Sequence, residues 1–300
     1  MRLRADLTLL LVAFLWGGAF VAQRVAGQSG SVYFFNAARF ALAFLLLLPF
    51  LHRRSFPVAA WPWMALAGSV LFIATAFQQA GMKTTTAANA GFITSLYVVL
   101  VPLVLFLFWR ESPSPLTLWA LGMALTGAYL LSGSGKFELH WGDFLELIGA
   151  FFWAFHVVLL GKVASRYDAL SFSVGQLLVS ALWNALAGLL WEHWMVTAVW
   201  TWLGAVAYTA VFSLAMGYTL QIWAQRHTPP SDAALILSLE SVFAAISGWI
   251  VLGERLTPVQ VLGAGLIFLA VLVSQWPMLQ MHLTLTKHTA EEQYDVARDP

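Results

Sequence analysis

The residues able to do chemistry in this chain are few, and they stand out because their surroundings are apolar. Glu240 sits in Leu239-Glu240-Ser241-Val242-Phe243-Ala244-Ala245, about eight residues into a stretch of about twenty that could cross a bilayer. An ionised carboxylate facing lipid there is costly, so Glu240 is expected to be neutral, paired, or in contact with water in a cavity. Three roles stay open for it: exchanging a proton, receiving the amine of a zwitterionic ligand, or fixing its helix against its neighbours. Arg39 lies inside a second apolar run, where a cation costs about 2.5–3.5 kcal/mol unless it faces a cavity or a partner. It can contact a ligand, or it can cap carbonyls and pair with a polar neighbour such as Asn36. His156 has an imidazole of the kind that titrates at about pH 6.5 and can carry a proton, against the alternative of a hydrogen-bonded packing residue. Trp16, Tyr97 and Trp153 are candidates for the aromatic walls of a binding cavity, with helix packing as the alternative. Gln78 and Gln221 offer amides as polar handles or as interhelical hydrogen bonds. Ser238, Ser241, Ala234, Ala245 and Gly248 recur every three or four residues and read as a close-packing face, not a nucleophile site.

The elements that must position these residues follow from composition. With 60% hydrophobic and 10% charged residues in 300, the chain is far more apolar than a soluble domain, where about 25% is charged. Windows of membrane-spanning length fall at 7–26, 31–51, 61–82, 87–109, 115–133, 143–162, 170–191, 198–223, 232–252 and 256–276, which predicts an all-α integral membrane protein of ten transmembrane helices. Most Trp residues, including Trp61, Trp63, Trp191, Trp194, Trp200, Trp202 and Trp276, fall at span ends and read as an interfacial belt; Trp16 and Trp153 are too deep for that. The net charge of +1 offers no basic surface for nucleic acid. The absence of cysteine excludes disulfides and thiolate metal sites.

Basic residues in the loops set the expected orientation. Arg2, Arg4, Arg53, Arg54, Arg110, Lys162, Arg166, Arg226, Lys287 and Arg298 fall on one side, against Arg24, Lys83, Lys136 and Arg255 on the other. Both termini are therefore expected in the cytoplasm, and the polar tail 277–300 is expected to be disordered.

The chain also contains its own copy. At a shift of 143, Ala90, Ser95, Leu96, Val99, Glu111 and Pro115 recur as Ala233, Ser238, Leu239, Val242, Glu254 and Pro258. At a shift of 137, Ala13, Phe14, Trp16, Val21, Phe35 and Leu45 recur as Ala150, Phe151, Trp153, Val158, Phe172 and Leu182. Tyr97 then stands at the place of Glu240, Gln78 at that of Gln221, and Ala19 at that of His156. Five spans per half is an odd number, so the halves 1–136 and 137–276 enter the membrane from opposite sides. Inverted repeats around a midplane cavity are a recurring transporter construction, because exchanging the conformations of two similar halves exchanges inward-open for outward-open.

Leu15-Trp16-Gly17-Gly18, Ala38-Arg39-Phe40 and the run from Leu239 to Ala245 leading into Gly253-Glu254-Arg255-Leu256-Thr257-Pro258 resemble, in order, spacing and duplication, the EamA type of the drug/metabolite transporter superfamily. The likeness extends to about Trp276; the first copy departs from it in having Tyr97 for the acid and Arg110-Glu111-Ser112 for the fuller Gly-Glu-Arg. The resemblance implies a ten-helix bundle with spans 1–4 and 6–9 around a central cavity and spans 5 and 10 at the periphery. It also implies a small-molecule solute, no cofactor, no metal and a bacterial inner-membrane location, as a monomer or homodimer.

The expected function is secondary transport of a small neutral or zwitterionic metabolite, an amino-acid exporter first and a sugar or drug permease second. Protons enter as a coupling partner through His156 or Glu240. A phosphorylated solute would need several cations at depth, and Arg39 is alone there. No nucleotide-binding Walker motif is present to drive pumping. An intramembrane transferase using His156 or Glu240 is the lesser reading, because the titratable groups His156, Glu146 and Glu240 are scattered along the sequence rather than convergent.

Overall fold

A computed structural model describes residues 1–51, 58–131, 141–255, 257–274 and Trp276. Lys136, Leu256 and the tail 277–300, on which some expectations fell, lie outside the described residues. With no water in the hydrocarbon to satisfy its backbone, the chain crosses as helix. The helices are α1 (Arg2–Ser29), α2 (Val32–Leu47), α3 (Trp61–Gly81), α4 (Ala87–Ser95), α5 (Tyr97–Trp109), α6 (Pro115–Leu131), α7 (Trp141–Val163), α8 (Ala169–Trp191), α9 (Val199–Tyr208), α10 (Thr219–Ala224), α11 (Pro230–Leu237), α12 (Glu240–Leu252) and α13 (Pro258–Ser274). They make eight segments long and apolar enough to span a membrane, plus the shorter apolar α6 and α13.

Three expected spans are composite, a feature that apolar windows do not reveal. The fourth span is α4 and α5, interrupted at Leu96, and the ninth is α11 and α12, interrupted at Ser238 and Leu239. The interruptions are copies of each other: the Ser95 hydroxyl donates to the Phe92 carbonyl at 2.7 Å, and the Ser238 hydroxyl to the Leu235 carbonyl at 2.7 Å. A serine bonding back to its own helix competes with the backbone ladder and bends it. The eighth span runs α9, a π-helical stretch Thr209–Tyr218, and α10. The ninth opens on Pro230 in the first turn, where a missing N–H costs nothing.

The inverted arrangement is visible in polar contacts at the span ends. Arg2, at the start of α1, pairs with Asp6 and with Asp232 at the start of α11 (2.7 Å), while Thr228 donates to Asp6 at 2.8 Å. Arg226, in the same connection, donates to the Ala164 and Tyr167 carbonyls just beyond the end of α7. The start of α1 and the end of its counterpart α7 therefore share one face, and the two helices run antiparallel. Lys162, at the end of α7, pairs on that face with Glu111.

The helices of the two halves interleave. α1 packs on α12, where a side chain on Gly17 would collide with Phe243 and lie 2.8 Å from the Ala244 backbone nitrogen. α3 packs on α7 and α8, and α2 on α8. α6 and α13 meet each other at Gly127 and Ile267 and turn exposed Trp119, Leu262 and Phe268 outward, as expected of peripheral spans. Of the presumed belt, Trp191, Trp194, Trp200 and Trp276 are exposed, but Trp202 is buried against Phe35 at 6.2 Å.

The two halves also end their interrupted spans alike. Gly253 closes α12 with φ 69°, and Arg110 closes α5 with φ 56°, both left-handed. The amide of Glu254 reaches back to the Gly248 carbonyl and that of Glu111 to the Leu105 carbonyl, a Schellman closure in each half. Beyond the span, partial burial raises the Glu254 carboxyl above its ordinary value, and Arg24 nearby works against the rise.

Candidate functional site: a cavity between the two halves

The interruptions place Tyr97 and Glu240 as the first residues of α5 and α12, and both line one cavity. Its walls are built largely of counterparts from the two halves: Trp16 with Trp153, Phe20 with Val157, Thr75 with Tyr218, and Tyr97 with Glu240. The cavity has a volume of about 30 Å³, so the space is narrow in this conformation.

Three aromatic rings form its floor. Trp16 lies 5.4 Å from Tyr218 and 6.3 Å from Trp153, and Trp153 stacks on Tyr218 at 6.3 Å and 14°. The π-helical stretch fixes Trp16: its indole N–H donates to the Ser213 carbonyl at 3.0 Å, beside Gly217. The counterpart position on α3 is Val70 in regular α-helix, and the Trp153 indole N–H has no partner. A π turn at a functional site is a recurring association, because the wider winding redirects carbonyls and side chains.

Arg39 also lines the cavity and is buried. Its Nε donates to Asn36 at 3.0 Å, its guanidinium rests against the Phe35 and Phe40 rings at 5.1 and 5.5 Å, and its Nη2 has no partner. Asn36 is itself held by donating to the Thr75 carbonyl at 3.2 Å. Glu240 is 2% exposed, its carboxyl interacts with the Tyr97 hydroxyl, and its Oε1 has no partner. Among the described residues Arg39 and Glu240 are not paired with each other. Gln78 donates to Thr94 at 3.2 Å, and Thr94 in turn donates to Glu146 at 3.2 Å.

Of the residues singled out in sequence, Trp16, Arg39, Gln78, Tyr97, Trp153 and Glu240 converge on this cavity. His156 does not line it. It lies behind the wall, edge-on to Tyr218 at 5.5 Å and Trp153 at 6.0 Å, with Nε2 on the Gln176 amide oxygen at 3.0 Å. Gln221 is buried away from the cavity, with no partner for either amide atom. Tyr218, Thr75, Thr94 and Gln23 line the cavity without having been singled out for it. The repeat shift carried a usable signal for two of them, since Thr75 and Tyr218 are counterparts. No cluster of metal-ligating side chains occurs among the described residues.

The family model described as the EamA-like transporter family matches residues 3–133 and again 140–276, one match per half. The chain belongs to this family. Membership makes it a transporter and sets aside the intramembrane transferase. An uncharacterized transporter of Archaeoglobus fulgidus is 38% identical over 91% of this chain and 86% of its own length. The threonine/homoserine exporter RhtA of Escherichia coli is 28% identical over 65% of this chain and 63% of its own. An S-adenosylmethionine/S-adenosylhomocysteine transporter of Chlamydia muridarum is 23% identical over 83% and 85%. A solved crystal structure superposes with a TM-score of 0.74 over 94% of this EamA-like chain and 99% of its own, at 20% identity, a likeness of fold.

Proposed function

We propose that this transporter exports a small zwitterionic metabolite of amino-acid type by alternating access, across a bacterial inner membrane with both termini in the cytoplasm. The observation that carries this reading is the cavity between the halves, which offers aromatic faces together with a guanidinium Nη2 and a carboxyl Oε1 that lack partners. Aromatic faces favour amphipathic solutes, and a protonated amine gains about 0.5–2 kcal/mol from them by cation–π attraction. The named solutes of RhtA and of the chlamydial relative all carry an amino-acid group, which supports the same class. Trp16, Tyr97 and Trp153 contact the solute, with Gln78 and Arg39 as polar contacts; His156 holds the wall from behind. Glu240 takes the amine or exchanges a proton with it.

The test is counterflow in vesicles holding the purified protein, across labelled amino acids, sugars, nucleosides and aromatic drugs. Saturable exchange of amino acids is expected. Exchange of sugars or drugs alone would favour the permease reading. Trp16→Ala and Trp153→Ala are each expected to weaken apparent affinity about tenfold, the scale of one lost aromatic contact of roughly 1.4 kcal/mol. If both variants fold and keep wild-type affinity and selectivity, the aromatic rings are not the solute site.

A further inference from the structure

The two halves differ most at one pair of positions. In the second half, His156 on α7 and Gln176 on α8 bond to each other at 3.0 Å. The shift of 137 maps these two residues onto Ala19 on α1 and Arg39 on α2. The first half therefore has a methyl group and a guanidinium at these positions, and both residues line the cavity where their counterparts do not.

We propose that the part of the cavity lined by Arg39 is the subsite for the solute's carboxylate, with Arg39 as the residue that makes the transporter select carboxylates. The proposal rests on the cavity being the solute site. Arg39 is 2% exposed, is anchored at Nε by Asn36, and is held flat between Phe35 and Phe40, so its orientation is fixed before any ligand arrives. What remains is Nη2, a buried charged donor without a partner. A desolvated guanidinium left unpaired is costly, and a carboxylate is the small anion whose planar geometry it matches. The Trp153 indole N–H is a second unpaired donor on the cavity wall. The other pole is present too: Glu240 lines the same cavity as Arg39, and its Oε1 has no partner. A solute with a carboxylate at one end and an ammonium at the other offers partners to both Arg39 Nη2 and Glu240 Oε1. A phosphate dianion does not suit a single guanidinium with an acid on the same cavity.

Counterflow with labelled leucine, phenylalanine and threonine, each competed by its own carboxamide, reads the subsite directly, because the amide keeps the shape and the amine and loses only the anion. Wild type is expected to prefer acid over amide by about 10- to 100-fold, the value of a charged hydrogen bond. Arg39→Gln is expected to remove that preference by weakening the acid and leaving the amide unchanged, and Arg39→Lys to keep part of it. Because Arg39→Gln alone leaves a gap, the double variant Ala19→His with Arg39→Gln transplants a pair that the second half already packs. It is expected to fold, by thermal melting and monodisperse elution, and to lose the preference as well. A folded double variant, or a folded Arg39→Gln, that still prefers the acid overturns the carboxylate subsite while leaving the amino-acid transporter standing. A wild type that exchanges none of these amino acids overturns both.

Discussion

Glu240 and Arg39 were legible as candidates because a charge in an apolar run needs a partner or a cavity, and both line the cavity. Tyr218 was not, for an equally physical reason. In a chain that is 15% aromatic, one more ring in a span carries no information, and the π-helical winding that ends at Tyr218 rotates side chains off the ordinary 3.6-residue register. His156 was the converse case, a titratable group whose bond to Gln176 turns it into a support for Trp153 and Tyr218. At this scale the telling variant is Glu240→Gln, which keeps size and hydrogen bonding and removes the charge. Counterflow of amine-bearing solutes is expected to lose about tenfold or more in apparent affinity, as for a charged hydrogen bond, and that of uncharged solutes to be preserved. Counterflow that survives for amines while accumulation driven by a pH gradient disappears would instead make Glu240 the proton carrier.

The ten apolar windows found the spans, but not their interruptions. Hydropathy is blind to a serine that bends its own helix, and the identity of Ser95 and Leu96 to Ser238 and Leu239 marked the repeat without revealing that both copies break there. The α5 terminus shows how strictly the repeat is kept in space. The first half lacks the glycine of the second, yet Arg110 adopts the left-handed conformation that Gly253 adopts, and the same Schellman bond closes each helix. A non-glycine residue there costs roughly 1–2 kcal/mol, part of which the extra freedom of an unfolded glycine offsets. Arg110→Gly is therefore expected to stabilise the protein by about 0.5–1 kcal/mol, and Gly253→Ala to destabilise it by about 1 kcal/mol, read as opposite shifts in Tm in detergent. Equal and unchanged melting would mean that the left-handed closure carries no strain.

For the molecule as a whole, the duplication and the odd number of spans per half were enough to predict the inversion, and the contacts of Arg2 and Arg226 display it. The basic bias of the loops predicts which face is cytoplasmic. Because the chain has no cysteine of its own, Arg255→Cys supplies a unique thiol, expected to react with an impermeant reagent in intact cells. Reaction only after lysis would reverse the orientation. The cavity itself is lopsided in a way that sequence symmetry did not announce. Ala19, Gln23, Arg39, Gln78 and Thr94 of the first half line it, while their counterparts His156, Leu160, Gln176, Gln221 and Leu237 are packed shut. In an inverted repeat the equivalent exchange, with the second set opening as the first closes, is the motion expected of alternating access.

That Tyr97 and Glu240 hold counterpart positions on that cavity has a consequence for how such a protein can change over generations. In a dimer of identical half-length chains every substitution lands twice, so a glutamate gained on one wall is gained on the other, and two acids confront each other. Joined in one chain, the two walls mutate independently. A single nucleotide change can then alter one face of the cavity while its opposite stays fixed, and solute preference can drift in steps half as large.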